Sequence, residues 1–114
     1  MSYSIIQLKH LVKTNPTEFI QVISNHISEA MLLSAAVELI DEIQDESLTV
    51  PVLKRFLKHV HAAVRESALL SASSVFMDKK PPAEILDRIK IIAKNDPASQ
   101  VREYAADLLK EFEK

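Results

Sequence analysis

The sequence predicts an all-α fold built as a solenoid of stacked helix pairs, and three observations carry that expectation. Glycine is absent from all 114 residues, where average usage would supply roughly eight. Hairpin turns, bulges and phosphate-binding loops draw on glycine's backbone freedom. Strand-rich folds are therefore disfavoured and glycine-rich nucleotide loops excluded, with Asn15, Asn25 and Asn95 expected at left-handed helix ends. Second, Asn15-Pro16, Pro51, Pro81-Pro82 and Asp96-Pro97 punctuate segments whose apolar residues recur at helical spacing. Third, the chain repeats itself at an offset of 37 residues. Helix pairs too small to bury their apolar faces alone stack into one continuous core.

Size and composition fit one domain over residues 1–114, with 47% apolar and 26% charged residues. The absence of cysteine excludes disulfides and thiolate metal sites. Met1-Ser2-Tyr3-Ser4 lacks the basic-then-apolar layout of a signal peptide. No apolar run reaches the length of about 18 residues that a membrane span needs. A cytoplasmic protein without membrane contact is the expectation.

Seven helices are expected, at 3–13, 17–25, 28–44, 49–60, 62–77, 83–94 and 98–113. The first is amphipathic, setting Ile5, Leu8, Leu11 and Val12 against Lys9, His10 and Lys13, and suits one end of a stack. Thr17 after Pro16 and Thr49 before Pro51 read as starts, since a first-turn proline gives up an N–H that has no helical partner. The fifth helix is apolar or small on nearly every side, with Val64, Ala68, Ser71, Ala72 and Val75 forming one stripe. Such a helix fits between neighbours that approach closely. The seventh keeps the stripe (Val101, Ala105, Leu108, Leu109, Phe112) but is otherwise charged, as a terminal helix with one wet face must be.

The 37-residue offset superposes Ile27-Ser28-Glu29-Ala30-Met31 on Val64-Arg65-Glu66-Ser67-Ala68 and on Val101-Arg102-Glu103-Tyr104-Ala105. Units of about 17–46, 47–79 and 82–113 result, with 3–13 as an extra helix. Asp96-Pro97-Ala98-Ser99-Gln100-Val101-Arg102-Glu103-Tyr104-Ala105 resembles the HEAT-repeat signature, an Asp-Pro turn followed by Val-Arg and then alanine. The second unit keeps Val64, Arg65 and Ala68 but has His59-Val60 in place of Asp-Pro; the first has Ser28 in the arginine position. The resemblance implies a short right-handed α-solenoid of about three helix pairs. It also implies ladders of turn aspartate and helix arginine between successive units, broken at the first. In that family the second helix of each pair lines the concave binding face.

Charge marks where a partner would bind. From Thr14 to Leu53 there are seven acids and no lysine or arginine, whereas the rest of the chain holds fourteen bases and nine acids. On a continuous third helix Ser34, Glu38, Asp41, Glu42 and Asp45 fall in one narrow sector. Like charges at these spacings cost roughly 0.2–0.5 kcal/mol each, and acids near a helix C-terminus oppose its dipole. In strict register Glu38 falls where Val75 and Phe112 stand in the core, so the first unit is expected to be rotated to keep the stripe in water. Ser71 and Ser74, then Asp107 and Glu111, extend the face without bases.

The expected function is a non-enzymatic interaction module, monomeric or weakly oligomeric, that offers Glu38, Asp41, Glu42, Asp45, Ser71, Ser74, Asp107 and Glu111 to a basic protein partner. A small immunity protein neutralising a basic toxin is one version of this. The competing expectation is a solvated face for which the basic run Lys54, Arg55, Lys58, His59, His61 and Arg65 supplies intramolecular partners. An enzyme similar to HEAT-like chromophore lyases or DNA glycosylases would have Glu38 as its one candidate carboxylate. His10, His26, His59 and His61 lack helical metal spacing, so neither metal nor cofactor is expected. A net charge of −2, no tryptophan and no aromatics among the bases disfavour nucleic acid.

Overall fold

The computed structural model describes residues 2–113. Seven α-helices and one 3-10 helix follow in order: α1 (Ile5–Thr14), α2 (Pro16–Asn25), α3 (Ala30–Val37), the 3-10 helix (Glu38–Glu42), α4 (Glu46–Phe56), α5 (Ala62–Val75), α6 (Ala83–Asn95) and α7 (Ser99–Phe112). No strand occurs among the described residues.

Side chains at the boundaries explain where three of the seven α-helices begin. Ser4 and Gln7 form a reciprocal capping box at α1. Asn15 closes α1 through its N–H to the Leu11 carbonyl and opens α2 by accepting the Glu18 N–H, with Pro16 in the first turn. The asparagines do not adopt the left-handed backbone expected of them: no described residue has positive φ, and Asn15 lies at φ −152°. Its side chain does the capping instead, and α2 starts before Thr17. Likewise α4 starts at Asp45, whose carboxylate accepts the Ser47 N–H, and not at Thr49. Pro51 consequently lies inside α4, on its exposed side.

The largest departure from expectation is the third helix. A single helix over 28–44 is replaced by α3, which ends at Val37, and by the 3-10 helix that follows. Tighter winding (about three residues per turn against 3.6) turns Leu39 and Ile40 inward and leaves Glu38, Asp41 and Glu42 exposed. The conflict between Glu38 and the core register is thus resolved by a local change of winding.

Packing follows two rows. α2 touches α4 and α4 touches α6; α3 touches α5 and α5 touches α7. Links α2 to α3, α4 to α5 and α6 to α7 join the rows, while α1 lies against α2, α3 and the 3-10 helix. One core runs through all of it, with Phe19, Phe56 and Phe76 among its largest fully buried side chains. Each large apolar side chain removed from water contributes about 1.5–3 kcal/mol. α5 lies against α3, the 3-10 helix, α4 and α7, so its small residues face neighbours on several sides. Ser67, Ala68, Ser71 and Ala72 are all buried. The molecule measures 39 × 28 × 18 Å.

Candidate interaction surface

Glu38, Asp41 and Glu42 project from the 3-10 helix beside α5. There the Ser67 hydroxyl donates to Glu38 Oε2 at 3.1 Å and contacts the Ser34 hydroxyl at 2.6 Å. Ser74, exposed on α5, brings its hydroxyl beside Asp41. Burial first, then the neighbouring Glu42 and Glu38, push the Asp41 carboxyl above the usual aspartate range, against the opposing effect of Ser74. None of Glu38, Asp41, Glu42 and Asp45 is paired with a lysine or arginine among the described residues. Three exposed carboxylates are therefore held together on one short helix with no counter-ion among the described residues.

The other expected contact residues divide. Asp45 leaves the stripe because its carboxylate caps α4, binding both the N–H and the hydroxyl of Ser47. Ser71 is buried at 2% exposure, donating to the Val37 carbonyl at 2.9 Å, and so holds α5 to the end of α3 without reaching any surface. Asp107 lines a groove of about 320 Å³ between α5 and α7, together with Glu66, Glu103, Leu70 and Tyr104. Gln100 links its two walls by donating to Glu66 at 3.3 Å. Glu111 borders a separate hollow of about 750 Å³ whose lining includes Lys79, Lys80 and Lys90. Glu66 and Glu103 were missed by the sequence reading of the surface, although they occupy equivalent places one 37-residue step apart. The Ser73 hydroxyl on α5 lies beside Tyr104 of α7 at this groove.

The basic run does not neutralise this face. Lys54 pairs with Glu84 at 3.4 Å, Arg55 donates to the Ser24 carbonyl, and Arg65 turns to the α6–α7 side. Lys79 reaches Glu46 at 2.6 Å, and Glu46 lies outside the three-carboxylate group.

Arg65 and Asp96 form the most buried ion pair among the described residues. Arg65 Nε and Nη2 donate to Asp96 Oδ2 and Oδ1 at 2.7 and 2.8 Å, with side-chain exposures of 9% and 3%. Asp96 Oδ1 also accepts the Ala98 N–H. The Arg65 guanidinium above all holds the Asp96 carboxyl below the usual aspartate range. Arg65 Nη1 further donates to the carbonyls of His59 and Val60, and Arg102 Nη1 donates to the carbonyl of Asp96. Each arginine thus grips the backbone six residues before it, at positions related by 37. Val64, Ala68, Val101 and Ala105 are buried around these contacts, while Pro97 is exposed in the turn.

No group of three histidine, aspartate or glutamate side chains is placed to hold a metal among the described residues. No helix among them is long and apolar enough to cross a membrane. Comparison with protein-family models, curated proteins and solved structures returned no match to this chain.

Proposed function

We propose that this chain is a HEAT-like, right-handed α-solenoid of about three helix pairs, acting without catalysis as a docking module for a basic protein partner in the cytoplasm. The two rows of helices, the Arg65–Asp96 pair between the second and third units and the recurring arginine-to-carbonyl grip support the architecture. The docking role rests on one observation: Glu38, Asp41 and Glu42 are exposed side by side without a lysine or arginine pair among the described residues. Keeping like charges together costs stability, and a cationic partner relieves that cost while speeding association and setting orientation. The α5–α7 groove, with three carboxylates beside Leu70 and Tyr104, extends the face toward lysine and arginine side chains that bring apolar stems with them.

The test combines Glu38→Lys, Asp41→Lys and Glu42→Lys and leaves Asp45 intact, because Asp45 caps a helix. A basic protein captured at low salt from cells that make the module should bind the triple variant at least tenfold more slowly. The wild-type association rate should also fall steeply with salt. Equal association rates for the two proteins would refute the docking role.

A further inference from the structure

A second charged site lies on the opposite row of helices, where α4 gives way to α5 and abuts α6. A hollow of about 200 Å³ there is lined by Lys58, His59, Arg65, Arg88, Ile92 and Asp96, among others. Its charges do not cancel. Asp96, the lining carboxylate, has both oxygens engaged by Arg65 and by the Ala98 N–H, so it neutralises Arg65 alone. Lys58 and Arg88 have no ion pair among the described residues. Arg88 Nε is moreover buried without a hydrogen-bond partner among the described residues. Apolar walls from Ile91 and Ile92 lower the local dielectric and strengthen any charge-assisted bond made there.

We propose that this hollow binds a tetrahedral oxyanion of the sulfate or phosphate class, held by Arg88 and Lys58 with His59 at its rim. An oxyanion of this class offers acceptors in several directions, as a guanidinium, an ammonium and an imidazole converging from α6 and the α4–α5 turn require. His59 reports on the site. Its ring is held below the usual histidine range by burial and then by His61, Arg65 and Arg55, which surround it with positive charge. The other charged groups facing it are Lys58 beside it, Arg88 from α6 and Asp96 from the α6–α7 turn. An anion at this position favours the protonated ring, so binding raises the His59 pKa.

The experiment is a titration of the full chain with sodium sulfate, following the His59 ring resonances by NMR, against sodium chloride at matched ionic strength. Sulfate keeps both charges across the range in which histidine titrates, about pH 5 to 8. Its general stabilising effect on proteins makes a melting temperature the wrong readout. The expected result is a saturable shift of His59 with sulfate, an upward move of its pKa, and displacement of sulfate by inorganic phosphate. Arg88→Gln should weaken sulfate by about tenfold or more, as expected for the loss of a hydrogen bond to a charged group. Lys58→Gln, on the surface and harmless to folding, should weaken it by a few-fold. Equal shifts with chloride, a non-saturating response, or undiminished binding by Lys58→Gln together with a folded Arg88→Gln would overturn the proposal.

Discussion

Replacing Asp96 by alanine removes the acceptor of two charge-assisted bonds and leaves the Arg65 guanidinium, 9% exposed, without a counter-ion. Loss of one partner from a buried pair costs about 3–5 kcal/mol, chiefly because the remaining charge stays desolvated. A domain of this size is stable by about 5–15 kcal/mol, so the variant should lose a large share of its stability. Asp96→Asn keeps an acceptor for the Ala98 N–H and should cost about half as much. Urea denaturation of Asp96→Ala, Arg65→Met and the double variant isolates the pair: the double variant should cost less than the sum by at least about 1 kcal/mol. The pH dependence has a definite sign. The Asp96 carboxyl is depressed in the fold, so its contribution is present above the unfolded aspartate value, about 3.9. It is lost as pH falls from there through the depressed value. Wild type should therefore lose stability in acid more steeply than Asp96→Asn. Additivity of the two single variants to within about 0.5 kcal/mol, or a cost below about 1 kcal/mol for Asp96→Ala, would refute the reasoning.

Two further perturbations concern Thr49 and Asp41. Thr49 is fully buried and its Oγ1 lacks a hydrogen-bond partner. Thr49→Val, nearly the same shape, should raise the unfolding free energy by about 1 kcal/mol in urea, and a decrease would show that the hydroxyl is bonded in solution. Asp41→Asn should be mildly stabilising at neutral pH and low salt, by a few tenths of a kcal/mol discounted for its exposure. A carboxyl raised in the fold binds its proton more readily there than in the unfolded chain. Its ionisation therefore removes stability as pH rises through the ordinary aspartate value to the raised one. The gain should vanish in acid and shrink with salt, and a constant gain across pH would exclude electrostatics as its source.

Much of the fold is legible in the sequence because helices announce themselves through spacing and punctuation. All seven helical segments are found, and the burial of α5 follows from its small residues on every side. That a turn aspartate pairs with a helix arginine of the neighbouring unit is what the resemblance of Asp96-Pro97 and Val-Arg to the HEAT signature implies, and Arg65 with Asp96 is such a pair. Less visible is the switch of winding at Glu38. The run Glu38–Glu42 contains neither glycine nor proline, and the 3-10 helix it forms packs against α1 and α5, elements distant in sequence that a local reading of that run does not include. For the same reason a face computed at 100° per residue misplaces Asp45, which belongs to the next helix as its cap. Ser71 shows a different limit. A serine on an apolar helix reads as surface until a carbonyl such as that of Val37 is brought opposite it. Equally hidden is the assembly of Lys58 with Arg88, thirty residues apart, because nothing local links them.

A chain without glycine, in which no described residue has positive φ, lacks the soft joints through which many proteins bend. The corners before α2, α4 and α7 are held by side-chain contacts of Asn15, Asp45 and Asp96. Domain motions divide into hinging at a few permissive residues and shear of packed helices, and this backbone leaves little room for the first. Deformation of the molecule is then a matter of helices sliding by small amounts across serine and alanine contacts. Those are the contacts that α5 makes with α3, and they would set how far the molecule yields under load.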